Sequence, residues 1–324
     1  MNKQKRTSLL SGLALLAVTV IWGSSFVTQK IATDYVEPYT LMASRGILAS
    51  ITLGIIVLFR NLFAKVKTEK TSIKYRHGKF TTVSAGIICG LAFAAATTLQ
   101  QMGIHYNSVV AKIDTAGRAS FLTALYIIIV PFASFFLSKL GMLKKSLSPL
   151  IWVATVLCIG GTYFLCSMSE GGFTLGDLML IGCAIAFTVH IFIIDMLCCH
   201  FDPIYISLFQ FITTFAVTIP LALIFETPTV ENILHALPSM LYLGVLGSAL
   251  AYTVQIAAQK NLHPAVASLI MCFESFLATV AGAIFLHEKM TTVQYLACTA
   301  IFIGILIAEL GQVLPTSFGK KSSK

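Results

Sequence analysis

The sequence predicts an all-α polytopic membrane protein whose ten transmembrane helices form two inverted five-helix repeats. Three observations carry this reading: charge is scarce and clumped, ten long apolar windows lie between the clumps, and residues of one half recur in order in the other. Only 11% of the 324 residues are charged and 57% are hydrophobic, with a mean hydropathy of +0.87. A soluble domain carries about 25% charged residues, enough to make a hydrated exterior. Here the uncharged stretches are of the length that a bilayer core demands, about 20 residues of helix.

Windows free of Lys, Arg, Asp and Glu cover 7–29, 80–111, 119–138, 146–169, 178–194, 203–225, 232–259 and 290–308. Two more carry one charge each, 38–59 with Arg45 and 261–287 with Glu274. The first window follows Lys3, Lys5 and Arg6 and runs for 23 residues, longer than the apolar region of a signal peptide, so it reads as a retained helix. Pro38, Pro203 and Pro264 stand near the starts of helices 2, 7 and 9, where a missing N–H costs little. Pro131 and Pro220 lie deeper and should kink helices 4 and 7. Gly86 with Gly90, and Gly244 with Ser248, are small-residue pairs that let helices approach closely. The stretch 107–114 is open between loop and helix.

Basic residues give the orientation. With the N-terminus cytoplasmic, the cytoplasmic segments hold 17 Lys and Arg against 4 in the outer loops, the bias expected of a plasma-membrane protein with both termini inside. The net charge of +9 sits in these short loops, so it reports topology and not nucleic-acid binding. The eight cysteines all fall in or beside apolar windows, without metal-ligand spacing, and read as small packing residues.

The halves match in order. At an offset of 165, Trp22 meets Phe187 and Glu37-Pro38 meets Asp202-Pro203; at 148, Ala119–Leu122 meets Ala267–Ile270; at 144, Ile159-Gly160 meets Ile303-Gly304. The units are then 1–145 and 170–313, with 146–169 carrying helix 5 and the junction, and 314–324 a cytoplasmic tail. Five helices per unit force opposite orientations, an arrangement of alternating-access transporters whose site lies near the midplane.

The chain resembles the drug/metabolite transporter superfamily, and within it the EamA-type ten-helix transporters, over roughly 8–312. Trp22-Gly23-Ser24-Ser25-Phe26 looks like the family's helix 1 motif, Arg45 stands where members carry arginine, and Gln100–Gly103 with Thr115–Pro131 is similar to the helix 3–4 segment of a bacterial subgroup. Glu274 to Glu309 resembles the family's closing segment, with Glu288 as the acid before helix 10. Ser275 and Ala297 replace a usual proline and glycine. The resemblance implies export or exchange of small polar metabolites, amino acids or drugs.

Glu274, near the middle of its window, is the sharpest chemical signal. A carboxylate at that depth must face protein or a wet cavity. It is a candidate proton carrier or counter-ion, the alternative being a hydrogen-bonded structural glutamate. Its counterpart at offset 148 is Tyr126. Tyr252, Gln255 and Gln259 share one face of helix 8, and at an offset of 158 the two glutamines meet Thr97 and Gln101 of helix 3. Gln101, Tyr126, Tyr252, Gln255, Gln259, Glu274 and Trp22 are therefore the candidate substrate-binding residues, expected to converge on one cavity. Arg45 could bind an anionic substrate group, but reads first as structural near the outer interface, and His105 and His190 read as structural too.

The leading function is a secondary transporter; an intramembrane enzyme or a channel is the alternative. No Walker A, H-E-x-x-H or G-x-S-x-G pattern is present, so no ATP-driven step, metal or cofactor is expected and the chain is not read as an enzyme. The expected partners are a small-molecule substrate and membrane lipid, with homodimerisation left open.

Overall fold

The computed structural model describes residues 3–63, 72–75, 78–112, 116–141, 149–166, 173–285 and 292–313. Glu288, the 314–324 tail and the larger part of the basic loop before helix 3 lie outside them. The spans are α1 (Lys3–Thr33), α2 (Pro38–Phe63), α3 (Thr82–His105), α4 (Ala116–Thr123 and Tyr126–Lys139), α5 (Leu150–Cys166) and α6 (Leu175–Met196). They continue as α7 (Pro203–Phe225), α8 (Val230–Gln259), α9 (Pro264–Met271 and Phe273–Phe285) and α10 (Thr292–Val313). Among the described residues, eight helices are long and apolar enough to cross a membrane, and the shorter apolar helices α5 and α10 complete ten. A small antiparallel hairpin, β1 (Ser72–Tyr75) with β2 (Gly78–Thr81), leads into α3.

Local chemistry starts most of these helices. Thr81 with Ser84, and Thr174 with Asp177, form capping boxes at α3 and α6. Asp202 caps α7 ahead of Pro203, and the His263 ring nitrogen accepts from Ala265 N–H ahead of Pro264 in α9. The stretch after His105 resolves as helix: α3 continues through one wider π turn, Tyr106–Val110, and stops at Lys112, whose φ of 54° is left-handed.

Polarity is arranged inside out relative to a soluble protein. Leu58, Phe59, Val156, Leu223 and Ile224 are each more than half exposed, while Arg45, Gln101, Gln210, Gln255 and Gln259 are buried. An exposed apolar belt around a polar interior is what lipid as solvent selects.

Packing reveals the repeat. α2 packs on α7, and α5 on α10, each pairing a helix with its own counterpart five spans later. The remaining contacts survive the same exchange: α3 with α6 mirrors α8 with α1, and α3 with α7 mirrors α8 with α2. Direction is settled at the ends of α2 and α7. Glu226, at the end of α7, accepts the N–H groups of Tyr39 and Thr40 at 2.7 and 2.6 Å, at the start of α2. Arg60, near the end of α2, pairs with Asp202, just before α7, at 2.5 Å. Start meets end at both faces, so the counterparts run antiparallel and the repeat is inverted.

The small residues work as spacers, again symmetrically. A Cβ on Gly86 would collide with Phe209 of α7, and one on Gly244 would meet Leu48 of α2 at 2.6 Å. Gly86 and Gly244 are 158 residues apart, so the same close approach is built once in each half.

The helix breaks obey the symmetry as well. α4 is interrupted at Ala124–Leu125 and α9 at Cys272, and 124 and 272 are 148 apart. The interruption in α4 therefore precedes Pro131 by six residues instead of falling at it, and Pro220 sits inside an unbroken α7. Discontinuous helices in a membrane are tolerable only where they face protein or a cavity.

Candidate functional site

Beside the two breaks lies a narrow cavity of about 30 Å³. α1 supplies Trp22, Ser25 and Gln29, α2 Arg45 and α3 Gln100. Thr123 and Tyr126 come from α4, and Phe187 and Ile191 from α6. Tyr252 and Gln255 of α8 and Met271 and Glu274 of α9 close it.

Each polar group is held by a specific feature of the fold. α8 winds as a π-helix over Tyr242–Leu250, a widening that leaves carbonyls off the regular ladder. Trp22 Nε1 donates to the Gly247 carbonyl in that segment at 3.1 Å, and the Trp22 ring leans on Tyr252 with centroids 4.8 Å apart. Arg45 is 5% exposed; its Nε donates to Ser248 Oγ at 3.2 Å, and Nη1 reaches Gln29 Oε1 at 3.5 Å. Glu274 stands in the first turn after the α9 break, where a helix N-terminus favours negative charge. Next to it Ser275 Oγ donates to the Ser120 carbonyl at 3.2 Å, tying α9 to α4. Gln100 Nε2 donates to Thr123 Oγ1 at 3.3 Å, joining α3 to α4.

Arg45 and Glu274 line the same space and act on each other electrostatically, yet no ion pair closes between them among the described residues. The cavity thus presents a guanidinium and a carboxyl group, separated, among aromatic rings and amides. No cluster of three or more His, Cys, Asp or Glu among the described residues could hold a metal ion.

The EamA-like transporter family model matches twice, over residues 9–167 and 174–310. The chain belongs to the EamA-like transporter family. It is a membrane transporter of the drug/metabolite transporter superfamily. An uncharacterized transporter of Archaeoglobus fulgidus is 26% identical over 93% of this chain and 86% of its own. The uncharacterized transporter YoaV of Bacillus subtilis is 22% identical over 91% and 95%. A solved crystal structure shares the fold, with a TM-score of 0.70 at 16% identity over 94% of this chain and 97% of that one.

Of the residues singled out from sequence, the EamA-like transporter brings Trp22, Tyr126, Tyr252, Gln255 and Glu274 to one cavity. Gln101 and Gln259 are not in its lining. Both are buried, and their amide atoms have no hydrogen-bond partner. Gln101 is turned about 100° from Gln100 around α3, and it is Gln100 that faces the cavity; Gln259 lies about 6 Å along α8 from Gln255. Arg45, read first as structural near the outer interface, lines the cavity wall. Sequence reading also passed over Gln29, Thr123 and Phe187. The last was within reach, because Phe187 is the repeat mate of Trp22. The six described cysteines with placed side chains are free thiols.

Proposed function

We propose that this protein is a secondary transporter, an exporter or exchanger, that moves small zwitterionic metabolites such as amino acids by alternating access. The observation that carries the reading is a guanidinium and a carboxyl group set apart in one cavity. Arg45 is a fixed, always protonated donor that suits a carboxylate. Glu274 suits an ammonium group, and when empty it can carry a proton, which makes it the coupling carboxylate. The aromatic rings of Trp22, Tyr126 and Tyr252 and the Gln255 amide would hold the body of the substrate between them. Inverted repeats supply the two facing states, each repeat adopting in turn the shape of the other. We place the protein in the plasma membrane with both termini cytoplasmic, from the distribution of basic residues, and assign it no catalytic step and no nucleic-acid partner.

Counterflow in proteoliposomes loaded with a mixture of labelled amino acids tests the function: a carrier exchanges, a channel only equilibrates, and an enzyme releases altered product. Glu274→Gln keeps size and hydrogen bonding but removes titration. It should lose pH-dependent net transport while exchange survives. Unchanged rate and unchanged pH dependence in this variant would make the carboxylate structural and end the coupling mechanism.

A further inference from the structure

Behind the aromatic wall of the cavity lies a second polar cluster that the cavity does not use. His190 Nε2 lies 3.1 Å from Gln210 Oε1, and Cys89 Sγ donates to the same oxygen at 3.0 Å. Because an amide oxygen only accepts, the imidazole proton on Nε2 points at it. That leaves two orphans, His190 Nδ1 and Gln210 Nε2, without a partner although both residues are wholly buried. Buried polar atoms in a native fold are nearly always paired, so two together call for an explanation.

The repeat supplies one. Gln210 stands 165 residues after Arg45, and His190 stands 165 after Ser25. Arg45 is seven residues beyond Pro38 in α2, and Gln210 is seven beyond Pro203 in the antiparallel α7. At helical rise each is about 10 Å from its own end, at matched depth in opposite halves of the membrane. Their partners lie on corresponding helices: Arg45 bonds to Ser248 in α8, and Gln210 bonds to Cys89 in α3, one position away from the mate of Ser248 at the α3-to-α8 offset of 158. In the present conformation one cluster opens to the cavity. The other is shut off by Phe187 and Tyr252, which line that cavity and stand 6.3 and 6.1 Å from His190, ring to ring.

We propose that His190, Gln210 and Cys89 form a second half-site, which becomes the cavity wall when the repeats exchange conformations and there receives the carboxylate end of the substrate, with Gln210 Nε2 as donor. This rests on the alternating-access reading and adds where the substrate is handed over. Gln210 carries no charge where its mate Arg45 does, so the half-site holds the carboxylate more weakly and favours release.

The full chain with Cys89 as its single cysteine, in proteoliposomes, tests the assignment. Counterflow of the amino-acid mixture and modification of Cys89 by a membrane-impermeant methanethiosulfonate, read by mass spectrometry, are measured on one preparation. Buried as it is here, Cys89 should nevertheless become modified, at a rate that changes when the exchanging substrate is added. Gln210→Leu, by removing one hydrogen bond to a charged group, should raise the half-saturating concentration about tenfold while Cys89 modification continues. Working counterflow with Cys89 never modified, or with Gln210→Leu leaving saturation unchanged, would overturn the half-site and leave the transporter standing. A chain without any counterflow would overturn the transporter reading and the half-site with it.

Discussion

On the face opposite the start of α1, the beginnings of α4 and α6 and the end of α3 are joined through one carboxylate. Arg118 grips Asp177 with two bonds, Nε to Oδ1 at 2.8 Å and Nη2 to Oδ2 at 2.5 Å. Asn107 Nδ2 donates to Oδ1 at 3.0 Å, and Thr174 N–H donates to Oδ2 at 2.9 Å. The Asp177 side chain is 1% exposed and that of Arg118 is 11%. Arg118→Met would leave a buried carboxylate without its counter-charge. Losing one member of a buried pair costs about 3–5 kcal/mol, and the water still reaching Arg118 trims this to about 2–4 kcal/mol. At about 2–4 °C per kcal/mol for a chain of this size, the melting temperature should fall by roughly 5–10 °C. Fluorescence-detected size exclusion of detergent-solubilised protein after heating reads this directly. Adding Asp177→Asn to Arg118→Met should recover about half the loss, because the amide oxygen still accepts from Thr174 while the stranded charge is gone. An Arg118→Met protein that melts within about 1 °C of the parent, the range of an inconsequential surface change, would refute the account.

Three further outcomes follow from the packing and the topology. Glu226→Leu removes both acceptors from the start of α2 and should cost about 2–3 kcal/mol, seen as earlier melting, whereas Glu226→Gln should keep part of the cap. Gly86→Val should destabilise by about 1–3 kcal/mol because α3 and α7 must separate, while Gly54→Val, which meets nothing within 4 Å, should melt like the parent. A green fluorescent protein fused at the C-terminus should fluoresce, and alkaline phosphatase inserted at Thr227 should be active; the reverse pattern would invert the assigned topology.

Much of the architecture was legible along the chain because lipid imposes a one-dimensional rule: each span must be apolar and about 20 residues long. Ten windows, the basic bias and the ordered matches at 165, 148 and 144 gave helix number and inverted pairing without any contact being known. Glu274 was legible for the same reason, since a carboxylate in an apolar window has few places to go. Other features depended on how helices rotate and bend. Gln100 and Gln101 are neighbours of identical chemistry, and only the packing of α3 against α4 and α6 turned the first to the cavity and the second away. The π segment of α8 has no composition of its own, yet it aims Gly247 at Trp22 and Ser248 at Arg45. Arg45 itself reads from sequence as an interfacial residue, seven positions from a helix start. It is the tilt and close approach of α1, α2 and α8 that bring it to Gln29, Ser248 and, across empty space, to the field of Glu274. Periodicity and hydropathy determine which face of the membrane a residue is near, because they act along the chain. Which residues share a cavity is decided by helix rotation and crossing, where many weak contacts between distant segments settle the balance.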